Sequence, residues 1–427
     1  MASFGTMIHF RPHFEHVPPL SKLLSVSGRV LSSGFGELRH RPTGQLPALD
    51  AFRSAAVLLV VFHHWSIREY VNAGGVYSPL QEHPIFFFGW TGVDLFFVLS
   101  GFLIGKQLWR ELDRTGTIQF GRFILRRGLR IWPIYFVMLA WYAAFSTFIH
   151  PRVWDWTFLS NYRSGAFTRG WSLSTEEQFY IAVPILLLLL RKRIPLVRYV
   201  WVLLGIEAVV LINRYFTIEQ ILASGRTLAS AQIKIVTPFH MHLEGLLAGL
   251  LIALFAVARP HLLRPAVSTH GVSWRGLGVF AALSAVGLAL RAANGDLFPF
   301  LALGMIFGGA TYWALLDRSV LSAPLRSGFF YPISRLSYSM YLNHWWIWPS
   351  SNKAIVEKVQ AFVSNPTAVF LISMLIGTAL SFALAALMFI LVEHPFLLLR
   401  DRVLKSTRKA HATSAHATSA HATSAHA

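Results

Sequence analysis

Ten apolar stretches recur along this chain of 427 residues, each about as long as the 17–25 residues that cross a hydrocarbon core of about 30 Å. They lie near 51–70, 85–107, 131–149, 173–190, 197–213, 237–257, 276–291, 297–315, 333–350 and 367–391. Pro133, Pro184 and Pro299 soften the ends or interiors of the third, fourth and eighth, because proline restricts helix starts and kinks helix interiors. The fold class expected is an all-α integral membrane protein of about ten transmembrane helices. Charge content agrees. Only 13% of residues are charged and the mean hydropathy is +0.51, against about 25% charged in soluble domains.

A formal net charge of +19 invites a nucleic-acid reading, but the distribution of that charge speaks against one. With the N-terminus in the cytoplasm, inner loops and tails carry 27 Lys and Arg residues and outer loops 10, with Arg53 inside the first span. That asymmetry is the positive-inside rule and predicts both termini in the cytoplasm. The basic surplus is topology first and a binding site for an anionic cytosolic ligand second; no nucleic-acid partner is expected. The chain has no cysteine, which excludes disulfides, Cys-ligated zinc and a Cys nucleophile. The domain reading is a basic cytoplasmic tail over 1–47, a membrane unit over 48–398, and a basic tail over 399–427. That tail ends in a HATSA repeat from His411 that is expected to be disordered. Residues 1–45 show no apolar core with a cleavage site, so no signal peptide is read.

Arg53 and His64 stand eleven residues apart in the first stretch, LDAFRSAAVLLVVFHHW. On a helix that spacing leaves them about 20° apart around the axis and about 16.5 Å apart along it. Ionisable groups in lipid are costly, so two aligned ones point to a protein-lined site. Snorkelling of Arg53 and a bonded core histidine is the bland alternative. Asp94, in FFFGWTGVDLFFVLSGFLIG, falls roughly 13 Å deep, and His64 about 21 Å from the inner face, so both lie near mid-membrane. A carboxylate there suits the orienting of an imidazole; packing against backbone or Ser100 is the other reading. Gly92, Gly101 and Gly105 allow close helix approach.

Arg126, Arg127 and Arg130 stand at the inner boundary before Trp132 and Pro133. Planar guanidinium forks there suit phosphate, although topology alone also places arginines there. Glu176 and Glu177 open the fourth stretch in WSLSTEEQFYI, where capping by Ser172 or Ser174 is the alternative to a functional carboxylate. In RLSYSMYLNHWWIW, Tyr338 and Tyr341 are three apart, and His344 falls near mid-depth. Trp345, Trp346 and Trp348 fit an aromatic belt better than His344 does. His240, His242 and Glu244 alternate as strand ligands would, not as a helix face would, so no metal is expected.

Arg53–x10–His64, GVDLFFVLSGFLI, RRGLRIWP, WSLSTEEQFY, SYSMYLNHW and a closing VEHPF, in that order over about residues 48–398, resemble the acyltransferase-3 family of multi-spanning membrane O-acyltransferases. The resemblance implies an enzyme that moves an acyl group, acetyl by default, from cytosolic acyl-CoA to a hydroxyl of an extracytoplasmic glycan or lipid-linked sugar. It implies a multi-pass protein of a bacterial cytoplasmic (inner) membrane. Two departures stand out: His63 where the family often has an aromatic, and His394 where it often has Arg. No hydrolase-like domain is read after the last span, so transfer is expected to finish within the membrane unit.

On this reading Arg53, Arg127 and Arg130 hold the CoA phosphates and the pantetheine arm runs up between helices. His64 acts as general base or acyl carrier, with Asp94 orienting it. Glu176, Trp171, Ser172, Tyr341 and His344 serve the acceptor side. A flippase of a lipid-linked sugar is the rival class, although the motifs of 49–180 do not recur in 230–400 as inverted halves would. A catalytically dead relative acting as sensor or scaffold is the third.

Overall fold

A computed structural model of the chain describes residues 32–42, 46–66, 71, 74–146, 150–163, 170–191, 194–228, 231–263, 272–317 and 319–404. Most of the first tail, the HATSA repeat, and loop residues such as Arg68 and Arg169 lie outside them. Among the described residues every regular element is helical. The principal helices are α1 (Pro47–Ser66), α2 (Gly92–Thr115), α3 (Phe120–Phe145), α4 (Trp171–Leu190) and α5 (Tyr199–Ala223). They continue with α6 (Glu244–Ala258), α7 (Trp274–Ala293), α8 (Pro299–Leu316), α9 (Phe330–Gln360) and α10 (Pro366–Met388). Each of the ten apolar stretches overlaps one of these helices. Among the described residues seven helices (α2 to α5, α7, α8 and α10) are long and apolar enough to cross a membrane. α6 is apolar but only 15 residues long, and α1 and α9 are interrupted by polar side chains.

Three boundaries differ from expectation. α3 begins at Phe120, so Arg122, Arg126, Arg127 and Arg130 lie within a helix and not in the loop before it. α5 runs to Ala223, which takes Arg214 out of the outer-loop tally and buries it completely. α9 extends to Gln360 and absorbs Lys353 and Lys358. Pro133 and Pro184 sit inside α3 and α4, whereas Pro299 opens α8 at the position where its missing N–H costs nothing.

Hydrogen bonds also tie connecting segments and helix ends to one another. Ser78 meets Thr367 at 2.9 Å, and Thr237 donates to Asn161 O at 2.8 Å. Arg191 donates to Thr117 at 2.9 Å, and Tyr331 donates to Glu37 O at 2.8 Å. Glu37, in the helical segment 32–39, also pairs with Arg335 at 2.7 Å, and Ser33 Oγ meets His394 Nε2 at 2.8 Å. The histidine that replaces the expected arginine thus ties the end of α10 to the segment before α1.

Two buried clusters build the core. One joins α1, α3, α9 and α10 through side chains such as Val57, Trp65, Ile134, Met340 and Phe370. The other joins α2, α4, α5 and α6 through Phe97, Phe102, Trp109, Phe179 and Leu250. Lipid tails are as apolar as leucine, so helix association in a bilayer rests on close packing and interhelical hydrogen bonds. Examples of the latter are Trp109 Nε1 to Leu250 O at 3.0 Å, Ser54 Oγ to Phe330 O at 2.8 Å, and Asn343 Nδ2 to Ser381 O at 3.1 Å.

The tightest crossing is α2 on α6, where Gly101 and Gly105 face Gly245 and Gly249. A Cβ at Gly249 would lie 2.6 Å from Phe102 N, and one at Gly245 2.9 Å from Phe97 Cβ. Gly249→Ala is therefore expected to force the helices apart, at a cost of about 1–3 kcal/mol or more. Thermal unfolding in detergent checks this, with Gly205→Ala, whose Cβ would meet open space, as the control. Equal melting temperatures would refute the close-packing account.

Candidate active site

Between the two clusters runs a narrow cavity of about 90 Å³. It follows α2 from Val93 to Ile104, about 16 Å by helical rise. At one end lie Arg53 from α1 and Arg127 and Arg130 from α3; at the other lie Ser172 from α4 and Tyr341 from α9. The three arginines expected to act together do share one space, and two helices are needed to assemble them. Arg127 Nη2 donates to Gln107 at 3.1 Å, and its guanidinium lies over the rings of Tyr180 and Phe123 at 5.9 and 6.0 Å. Arg127 Nε is buried without a hydrogen-bond partner.

Midway along the cavity Glu176 accepts hydrogen bonds from the hydroxyls of Ser100 and Tyr180. It lies in the second turn of α4, and no side chain caps that helix. The capping reading is therefore wrong for both serines: Ser172 Oγ meets Tyr341 Oη at 2.5 Å, and Ser174 Oγ meets Ser160 Oγ at 2.8 Å. Glu177 points elsewhere and accepts from Trp132 Nε1 at 2.9 Å.

His64 is buried beyond Tyr341, beside His344. The Tyr341 and His344 rings are 5.8 Å apart, and the His344 and His64 rings 5.0 Å. His344 Nε2 lies 3.2 Å from His64 Nδ1. Backbone carbonyls choose the tautomers. Val60 O lies 2.8 Å from His64 Nδ1 and Met340 O lies 3.2 Å from His344 Nδ1. A carbonyl only accepts, so both Nδ1 atoms carry the proton. His64 Nδ1–H then reaches both Val60 O and the lone pair of His344 Nε2. The basic lone pair of His64 is on Nε2. His63 Nδ1 lies 2.9 Å from Phe86 O, and its ring stands edge-on 5.5 Å from that of His64.

Asp94 does not orient His64. Its Oδ1 lies 2.8 Å from His242 Nε2, both side chains being buried. Depth along the membrane agreed with a His64–Asp94 pair, but helix rotation does not. Gly92 is the residue of α2 pressed on α1, where a Cβ would lie 3.0 Å from Val60 Cγ2. Two residues further on, about 200° around the axis, Asp94 faces α6. His242 stacks on Phe300 at 3.6 Å between ring centroids and on Trp171 at 5.3 Å. Asp94 and Trp171 thus belong to one buried group, adjacent to the cavity through Phe97. His242 went unrecognised because its alternate spacing with His240 was weighed only as a metal motif; among the described residues no cluster of metal-ligating side chains occurs.

At the same end of the bundle as Tyr341, Tyr162 and His240 stack at 5.8 Å, with Tyr162 Oη 3.1 Å from His240 Nδ1. Burial pulls the His240 imidazole below its ordinary pKa. Ser100, considered from the sequence only as a packing partner of Asp94, bonds Glu176 instead, and Tyr180 was not singled out at all. Tyr180 lies four residues from Glu176, one turn along the same face, which was the available signal.

A family model described as an acyltransferase domain matches residues 46–386. The peptidoglycan O-acetyltransferase OatA of Listeria monocytogenes is 29% identical over 170 residues, 34% of this chain and 25% of that protein. A Staphylococcus aureus protein with a provisional O-acetyltransferase name is 27% identical over 184 residues, 37% of this chain and 28% of its own length. A regulator of hypoxia-inducible factor 1 from Caenorhabditis elegans is 30% identical over 184 residues, 36% of this chain and 37% of that protein. The matched part is thus about a quarter to just over a third of these relatives. No solved structure matches.

Proposed function

The chain belongs to the acyltransferase-3 family, and its helices are long and apolar enough to cross a membrane; on that premise we propose that it is a multi-pass O-acyltransferase that moves an acetyl group from cytosolic acetyl-CoA to a hydroxyl of an extracytoplasmic glycan or lipid-linked sugar. The observation that carries this reading is the polarity of the cavity. Three guanidinium groups crowd one end and the hydroxyls of Ser172 and Tyr341 occupy the other, with the histidine pair outside the cavity lining, behind Tyr341. An anionic donor fits the first end and an alcohol acceptor the second.

In this reading α1, α6 and α9 cross the membrane with the seven helices named above, and both termini face the cytoplasm of a bacterium. Arg53, Arg127 and Arg130 then stand towards the inner face, where they hold the diphosphate of the donor, and the pantetheine arm extends outward along α2. His64 Nε2 takes the proton of the acceptor hydroxyl as its oxygen attacks the thioester carbonyl carbon. The C–S bond breaks, and the imidazolium returns that proton to the departing thiolate. The same lone pair serves if His64 carries the acyl group transiently. His344 keeps His64 in the tautomer that leaves Nε2 basic, the role first given to Asp94. Glu176, held by two hydroxyls, and the Ser172–Tyr341 pair line the path of the reacting groups; Asp94 supports Trp171 through His242.

Titration of acetyl-CoA into the purified protein in nanodiscs tests this, with Arg53→Ala and His64→Ala alongside and free CoA as a control. We expect micromolar binding, about −8 kcal/mol, that weakens at least about tenfold in Arg53→Ala and survives in His64→Ala. Folded wild-type protein that binds no acetyl-CoA would sink the proposal in favour of a sugar-lipid transporter.

A further inference from the structure

Below the arginine end of the cavity a second, wider hollow opens between the C-terminal third of α2 and the first turns of α3. Its volume is about 550 Å³, and Lys106, Arg110, Arg114, Arg122 and Arg126 line it, with Glu111 as the only carboxylate among the lining residues. Glu111 is already engaged, accepting the Gln119 N–H at 3.0 Å. Arg110 and Arg114 are exposed, and Arg122 Nε is buried with no hydrogen-bond partner. So many like charges around one space repel each other unless an anion joins them.

Two contacts make this hollow continuous with the cavity. Leu103 lines both, and Gln107 of the hollow accepts from Arg127 of the cavity at 3.1 Å. The cavity, at about 90 Å³, is much the smaller of the two spaces. The hollow is therefore the roomier seat for a bulky anionic end, with the cavity left for the arm that follows it.

We propose that this basic hollow is the seat of the 3′-phosphorylated adenosine end of the acyl-CoA donor, and that Arg110, Arg114 and Arg122 read its 3′-phosphate. The inference rests on the acyl-CoA reading above and deepens it, leaving Arg53, Arg127 and Arg130 to the diphosphate. A phosphomonoester carries about −1.5 to −2 at neutral pH, and forked guanidinium donors on two adjacent helices match its oxygens. The same chemistry would suit an anionic lipid headgroup at the membrane surface. Continuity with the cavity favours the nucleotide.

The test compares CoA with dephospho-CoA, which lacks only the 3′-phosphate, on the full chain in nanodiscs of neutral lipid. Wild type is expected to bind CoA at least about tenfold tighter. Arg110→Gln/Arg114→Gln/Arg122→Gln should erase that preference while keeping dephospho-CoA affinity within about twofold, which also reports that the variant is folded. Should the triple variant fail to fold, Arg110→Gln/Arg114→Gln, at two exposed positions, must still shrink the preference. Arg127→Gln should weaken both ligands alike. Binding of both ligands by wild type with equal affinity, or an undiminished preference in the variants, would overturn this inference alone. Wild type that binds neither would take down the acyl-CoA reading with it. If anionic lipid at constant ionic strength abolishes the preference, the hollow is a headgroup site and the inference falls.

Discussion

His64→Ala is expected to lower the turnover of acetyl transfer by about 10²–10⁴-fold, the range for removal of a positioned acid–base group. Binding of acetyl-CoA should survive, because the arginines that hold the donor lie on the far side of Tyr341. The expectation depends on where His64 stands. Its Nδ1 proton is directed at Val60 O and His344, which puts the basic lone pair on Nε2. His344→Ala should reduce turnover less and should move the pH profile of kcat, since it acts through the tautomer and orientation of His64. Single-turnover transfer to an added acceptor, read beside donor affinity, separates the two effects. Wild-type turnover in normally expressed His64→Ala protein would remove His64 from the chemistry.

Arg214→Met should cost about 3–5 kcal/mol, because it strands a buried carboxylate. Arg214 is completely buried in α5 and paired with Glu244 of α6. It also donates to Leu297 O at 2.9 Å and to Met241 O, and lies over the Phe300 ring at 4.9 Å. One side chain therefore holds α5 to the entry of α6 and the entry of α8. The single variant is expected to give little monodisperse protein after detergent extraction. Arg214→Met/Glu244→Leu, which removes both charges, should recover most of the lost stability. A single variant as stable as wild type, judged by thermal unfolding, would show that the pair contributes nothing net. The same region carries Phe300 and His242, so a weakened α5–α6–α8 junction should also loosen Trp171 beside the cavity.

How far the site was legible depended on whether its members share a helix. Arg53 and His64 lie on α1, and helical rise and rotation alone align them. Tyr341 and His344 on α9 were readable in the same way. Pairing across helices was not. The depth of Asp94 agreed with that of His64, yet the carboxylate belongs to His242, because Gly92 sets the rotation of α2 against α1. Serines at a helix start suggested caps until Ser172 proved to meet Tyr341 and Ser174 to meet Ser160. Arg214 counts as a loop cation if α5 ends at residue 213; in the bundle it is completely buried and paired with Glu244.

The sequence by itself determined the class of protein, the approximate position of every long helix and the alignment of Arg53 with His64. These follow from hydropathy and the 3.6-residue turn, which act within one segment. Only the tertiary structure decided which imidazole His64 faces, which histidine Asp94 holds, and that three arginines from two helices share a cavity that opens on a basic hollow. Those are matters of relative helix rotation. They are set by the few glycines that let backbones touch and by buried polar groups that must find partners where no water can serve them.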